Sequence, residues 1–231
     1  LGKLDGPDFT EGEHVIYDDH KILHDFDLDC GTEDDGIGYT HDELIHNPGR
    51  DPGDCVQFYY EVDNDIYNDK GGMTGTTNYI TGLTNQVATL YSNESINTVV
   101  VQLFIWDTSS PYTGGSSSQM LSQFQSNTNG WPGTLAQLLS YQSSGGIAAG
   151  FSGICATNEH ESMSFSSIQS SYNVVPTYSW SVMVVTHEFG HTFGSRHTHA
   201  CVWNGNNTAI DGCSGSTEGS CSLPGNPSQG G

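Results

Sequence analysis

The chain has 231 residues, with 27 acidic against 5 basic side chains and a formal net charge of −22. That length can bury a core of its own, while so few cations exclude sequence-independent binding to nucleic acid or to an anionic membrane surface. No run of 18 apolar residues occurs, so nothing reads as a membrane span.

The charge is uneven along the chain: residues 1–70 hold 20 of the acids and 4 of the bases. Such a break suggests a leader with a different job ahead of a near-neutral domain, and residues 1–54 read as that acidic leader, rich in Asp, Gly and Pro and mostly loop. Within it Asp25-Phe26-Asp27-Leu28-Asp29 alternates with the period of an extended chain. An opening Leu1 in place of Met reads as a mature or trimmed product. Six cysteines and little lysine read as a secreted protein with disulfides. Their spacing leaves the pairing open, and without a CxxC pair a cysteine zinc knuckle is not expected.

From Cys55 the pattern changes. Val56–Val62 is β-branched and aromatic, a strand. Thr76–Asn93 places Tyr79, Ile80, Leu83, Val87, Leu90 and Tyr91 at helical spacing, and Thr98–Trp106 is a nearly continuous apolar run expected to form a covered strand. Strand, helix, strand implies a parallel crossover. A second helix is expected at Ser117–Gln125, and Leu135–Leu139 reads as a third. Gly145–Gly153 reads as a strand with small side chains, where another backbone can approach. A helix opens near Pro176 and Thr177 and continues through an apolar run into His187. Past Gly194 the composition predicts loops.

The stretch His187-Glu188-Phe189-Gly190-His191-Thr192-Phe193-Gly194-Ser195-Arg196-His197 fits H-E-x-x-H-x-x-G-x-x-H at every specified position. His187 and His191, four apart on a helix, project from one face and can share a metal. Gly194 falls where the chain must leave the helix, and the turn brings His197 back as a third ligand. Three protein nitrogens leave one zinc position for water, the pattern of a catalytic site. Glu188 sits beside the first ligand, placed to act on that water as general base.

Through these residues the chain resembles the metzincin zinc endopeptidases. Within them it is most similar to the reprolysin-like (adamalysin-type) branch, bacterial secreted type. Val175–Trp180, Leu135–Leu139 and Gly146-Ile147-Ala148 leading to Gly153-Ile154-Cys155 extend the likeness over residues 55–223. The resemblance implies an α+β fold: a twisted, mostly parallel sheet with one antiparallel edge strand, two long helices and a small irregular C-terminal subdomain. It makes residues 55–231 the catalytic domain. It assigns Gly146, Ile147, Ala148 and Ala149 to the edge strand that pairs with an extended protein or peptide substrate.

Two features depart from that family. All four methionines, Met73, Met120, Met163 and Met183, precede the third histidine, so the chain is expected to stop short of the family's Met-turn. The branch often binds calcium through an acid on the first strand, matched by Glu61, and a second acid where this chain has Thr134. The Ca2+ site is therefore incomplete.

Cys30-Gly31 is similar to the cysteine-glycine switch of metzincin pro-segments, in which a thiolate fills the open zinc position. Two readings stand for Cys30: inhibitory zinc ligand of a zymogen, with the chain's own pro-segment as partner, or half of a disulfide with Cys55 or another cysteine. His199 is expected at the surface or behind the ligands. Asp63-Asn64-Asp65 fails as an EF-hand because Tyr67 occupies the fifth position. The expected function is a secreted zinc endopeptidase working by a zinc-activated water; the rival is a zinc-containing binding or adhesion module without turnover.

Overall fold

The computed structural model describes residues 2–3, 14–15, 30–39, 55–154, 156–211 and 214–223. The Asp25–Asp29 stretch, Cys155 and Cys213 lie outside the described residues. Two short strands, β1 (Gly2–Lys3) and β2 (His14–Val15), pair antiparallel.

A single sheet then organises the chain from Cys55 onward. Its strands are β3 (Cys55–Val62), β4 (Asn97–Ile105), β5 (Leu135–Ser140), β6 (Gly146–Ala148) and β7 (Met163–Ser167). They lie in the order β4-β3-β5-β7-β6. All neighbours pair parallel except β6, which runs antiparallel to β7 at the edge. The helices are α1 (Asn64–Asp69), α2 (Met73–Asn93), α3 (Ser117–Asn127) and α4 (Trp180–Phe193). The α+β expectation, with its antiparallel edge and two long helices, is what the chain adopts.

Strand alternation decides which helix covers which face. Phe58, Tyr60 and Val62 of β3 meet Ile80, Leu83 and Val87 of α2 and Val182, Val185 and Phe189 of α4 in one core cluster. Tyr59 faces the other way and packs with Met120, Leu121 and Phe124 of α3, Ala136 and Leu138 of β5, and Met163 and Phe165 of β7. Phe58 and Phe189 stack with centroids 4.1 Å apart and planes 8° apart, fixing the middle of α4 against the sheet. Burying one such ring contributes roughly 1.5–3 kcal/mol.

Leu135–Leu139 is a correction: it is the central strand, not a helix. Every residue of β5 is buried, since a strand paired on both sides and covered on both faces carries an unbroken apolar run. Six residues are too few for a helix to bury such a run. β7 is a strand the sequence conceals, because Ser164, Ser166 and Ser167 make it look polar. All three are buried, and their hydroxyls donate to the carbonyls of Ala136, Val184 and Ser143. The Ser166 bond, 3.3 Å to Val184 of α4, ties that helix to the sheet. Helix α2 begins three residues before its predicted start, after Gly72, and α3 carries a Ser116/Gln119 capping box.

Candidate metal centre

Helix α4 carries the motif and ends where the sequence requires. Gly194 caps it with φ of 108°, a left-handed conformation that suits glycine. Its N–H and that of Ser195 return to the carbonyls of His191 and Gly190, at 2.8 and 2.9 Å. The chain then doubles back and delivers His197.

The three imidazoles converge through their Nε2 atoms. His191 lies 3.0 Å from His187 and 3.1 Å from His197, and His187 lies 3.3 Å from His197. Their other nitrogens explain the orientation. His191 Nδ1 donates to the Ser195 carbonyl at 2.7 Å, since a carbonyl only accepts. His197 Nδ1 meets Glu218 Oε1 at 2.9 Å. A neutral ring that donates from Nδ1 turns a lone pair outward at Nε2, so lone pairs face one another across about 3 Å. Burial pushes His187 down to about 3 and His191 down to about 4, keeping both rings neutral at ordinary pH. Facing lone pairs repel unless a cation sits between them, and the spacing suits nitrogens about 2.0–2.1 Å from one ion.

Cys30 completes the set. Its Sγ is 3.4 Å from His191 Nε2, and Cys30, His187, His191 and His197 together could hold a metal ion. Cys30 and Cys55 are free thiols, so the disulfide reading of Cys30 gives way. The disulfide found among the described residues joins Cys201 to Cys221. Burial, and then the charge of Glu188, push the Cys30 thiol up to about 12 in the absence of a cation.

Residues 30–32 lie along edge strand β6. Cys30 forms a parallel bridge with Gly146, and the Gly31 N–H donates to the Gly146 carbonyl at 2.9 Å. The Ala148 N–H donates to the Thr32 hydroxyl at 2.7 Å. Gly146, Ile147 and Ala148 thus form the predicted edge strand; Ala149 lies just past its end, its N–H donating to the Met163 carbonyl at 3.0 Å. The chain continues to Asp34 and Asp35, which grip Arg196, and to Tyr39, whose ring lies 4.8 Å from that of Trp203.

Glu188 is fully buried, and neither carboxylate oxygen has a hydrogen-bond partner. Burial raises its pKa to about 8, with Cys30 and Thr32 beside it offsetting part of that rise. A Cβ on Gly146 would come within 2.5 Å of Glu188 Oε1, so a bare backbone is required where edge strand and carboxylate meet.

Two neighbours were not singled out from the sequence. Glu218 reaches His197, and its Oε1 also lies 3.5 Å from His199 Nε2. His199 stacks on His197 with centroids 4.9 Å apart, behind the three converging nitrogens. Arg196 is the lone base after Lys70, which could have pointed to it as the natural partner of leader acids. Beside His187, a cavity of about 370 Å³ is lined by apolar side chains including Leu90, Val182 and Met183.

Glu61, the expected calcium acid, is held by neutral donors. Trp106 Nε1 at 2.7 Å, Tyr59 at 2.9 Å, Thr128 at 2.8 Å and the Tyr112 hydroxyl all donate to it. Asp63 and Asp65 bind Ser140, and Asp65 also accepts from the Tyr141 N–H at 2.9 Å. They secure the end of β5.

Converging imidazoles beside an unpartnered buried carboxylate describe a metal centre suited to hydrolysis. The chain belongs to metallo-peptidase family M12, whose Reprolysin_5 model matches residues 54–228. Similar solved structures include metalloproteinase-II from Bacteroides fragilis, at 19% identity and TM-score 0.38, covering 68% of this chain and 48% of that one. A structure described as a chaperone-substrate complex matches at 10% identity and TM-score 0.43, covering 63% of this chain and 25% of that one. The chain thus spans less than half the length of either. No curated protein matches it.

Proposed function

We propose that the chain is a secreted zinc endopeptidase whose acidic leader, residues 1–54, holds it latent through Cys30. The observation that carries the reading is the convergence of three imidazoles on one point next to Glu188, a buried side chain whose carboxyl oxygens have no hydrogen-bond partner.

His187, His191 and His197 would hold the ion, which supplies Lewis acidity toward a carbonyl and a lowered pKa for water. The backbone of Gly146–Ala148 pairs with an extended substrate, as it pairs with residues 30–32. The apolar cavity beside His187 accepts a substrate side chain. Glu188 takes a proton from the attacking water and returns it to the departing amine. While Cys30 lies at the three histidines, neither water nor a scissile carbonyl has access there. The Cys201–Cys221 disulfide supports an oxidising, extracellular setting.

A binding or adhesion module would need the three histidines but not a buried carboxyl beside them, which a peptidase uses to move a proton. The test uses the full chain carrying Cys30→Ser and a fluorogenic peptide library. Hydrolysis that a chelator abolishes and zinc restores is expected. Adding Glu188→Gln is expected to lower turnover about 100-fold to 10,000-fold at unchanged zinc stoichiometry. Bound zinc with no hydrolysis across the library would favour the binding module.

A further inference from the structure

Arg196 is a cation in an unusual position. It immediately precedes His197, its residue is 9% exposed, and its guanidinium lies 4.4 Å from the Phe151 ring centroid. Phe151 in turn meets His191 edge-on at 5.3 Å. The guanidinium therefore lies at the end of the cleft, one aromatic ring away from the histidine cluster. Its two acid partners belong to the leader. Nη1 bonds Asp34 at 3.0 Å, and both terminal nitrogens fork onto Asp35, with Nη2 at 3.1 Å. Within the catalytic domain it has an aromatic face for support but no ion pair of its own described there.

The track leading to it is the one on which a substrate lies in the proposed function. Residues 30–32 run along β6, and the same strip reaches Arg196 with Asp34 and Asp35, four and five positions after Cys30. When the leader leaves, the guanidinium loses both counter-charges and opens to the cleft, where the carboxylate of a bound substrate can take their place. A planar fork over an aromatic ring suits the two oxygens of a carboxylate, the anion that an unmodified peptide carries.

We infer that Arg196 and Phe151 form a carboxylate-recognition subsite, so that the peptidase prefers substrates with Asp or Glu about four residues from the bond it cleaves. Asp34 and Asp35 occupy that subsite in the latent chain. The inference rests on the peptidase reading for its substrate, but its test can be decided without turnover.

The experiment uses the full chain with Cys30→Ser, Asp34→Asn and Asp35→Asn, which removes the internal occupants. Two fluorogenic peptide pairs are compared, each pair differing only by Asp-Asp against Asn-Asn. The acids stand four and five residues before the scissile bond in one pair and after it in the other. In one of the two placements the acidic peptide is expected to show kcat/KM about 10-fold higher or more. Adding Arg196→Met should bring the ratio to about one, with bound zinc measured alongside. Should that variant fail to fold, Arg196→Lys, which keeps the charge but loses the fork, should lower the ratio.

A ratio of about one in both placements, or a preference that survives loss of Arg196, overturns the subsite. If no peptide is cleaved, the peptidase reading fails separately. Fluorescence anisotropy of the same labelled peptides on the same proteins then decides: about 10-fold tighter, Arg196-dependent binding of the acidic peptide supports the subsite, and equal binding overturns it.

Discussion

Cys30 Sγ and His191 Nε2 lie 3.4 Å apart, although 161 positions separate the two residues in sequence. In a tetrahedral site with sulfur at about 2.3 Å and nitrogen at about 2.0–2.1 Å from the ion, those atoms would stand about 3.5 Å apart. Cys30 therefore reaches the histidines at a ligand's distance, and β6 sets that reach by pairing with residues 30–32.

Gly146, the residue bridged to Cys30, also leaves room for Glu188. A methyl group there would collide with Glu188, and a side chain buried in a close-packed interior has nowhere to move. Gly146→Ala in the Cys30→Ser background should lower kcat at least about 10-fold while zinc stoichiometry holds. Unchanged kcat, measured with the same peptide, would show that Glu188 does not need its observed position.

Glu218 is positioned by a local clamp. Its N–H bonds the His199 carbonyl at 3.2 Å, its carbonyl accepts the Cys201 N–H at 2.8 Å, and Cys201 is joined to Cys221. Carboxylates behind ligating histidines orient the ring and strengthen its lone pair. Glu218→Ala should weaken zinc binding about 10-fold to 100-fold in a chelator competition, with Glu218→Gln weakening it less. Equal affinity in all three proteins would mean that the Glu218 contact does not bear on the metal.

The histidine pair and Glu188 work in opposite directions on the pH dependence of the metal-free protein. His187 and His191 have folded pKa values below the ordinary 6.5, so the unfolded chain binds more protons below that pH and stability falls as pH falls. Glu188 has a folded pKa near 8 against 4.5. Between those values the folded chain holds the extra proton, and stability rises as pH falls. Glu188→Gln removes that opposing effect. In chemical denaturation with chelator, stability of the variant relative to the parent should fall on acidification from about pH 8 to 4.5, by up to about 1.4 kcal/mol per pH unit. Parallel curves would show that the Glu188 carboxyl does not change its proton affinity on folding.

How much of this was legible in the sequence follows from range. His187, Glu188 and His191 could be placed because an i, i+4 pair on a helix is a local matter, and Gly194 marks the helix end by its own conformational preference. The Leu135–Leu139 run could not be typed from periodicity alone, since a strand buried on both faces shows none. β7 was hidden because its buried serines are satisfied only by groups on β5, on α4 and in the Ser143 loop, which no local pattern reveals. Glu218 and the Asp34–Asp35 grip on Arg196 are long-range contacts between residues with no spacing rule to link them. Cys30 stood between two chemistries, and only its place beside β6 and His191 separates them.

The most direct test of the account is the ligand set of the metal itself. X-ray absorption at the zinc edge, on the full chain loaded with one equivalent of zinc, should show three nitrogens at about 2.0–2.1 Å and one sulfur at about 2.3 Å. Cys30→Ser should replace the sulfur with a light atom and raise peptidase activity. A first shell of nitrogen and oxygen alone in the unmodified chain, identical to that of Cys30→Ser, would contradict the account.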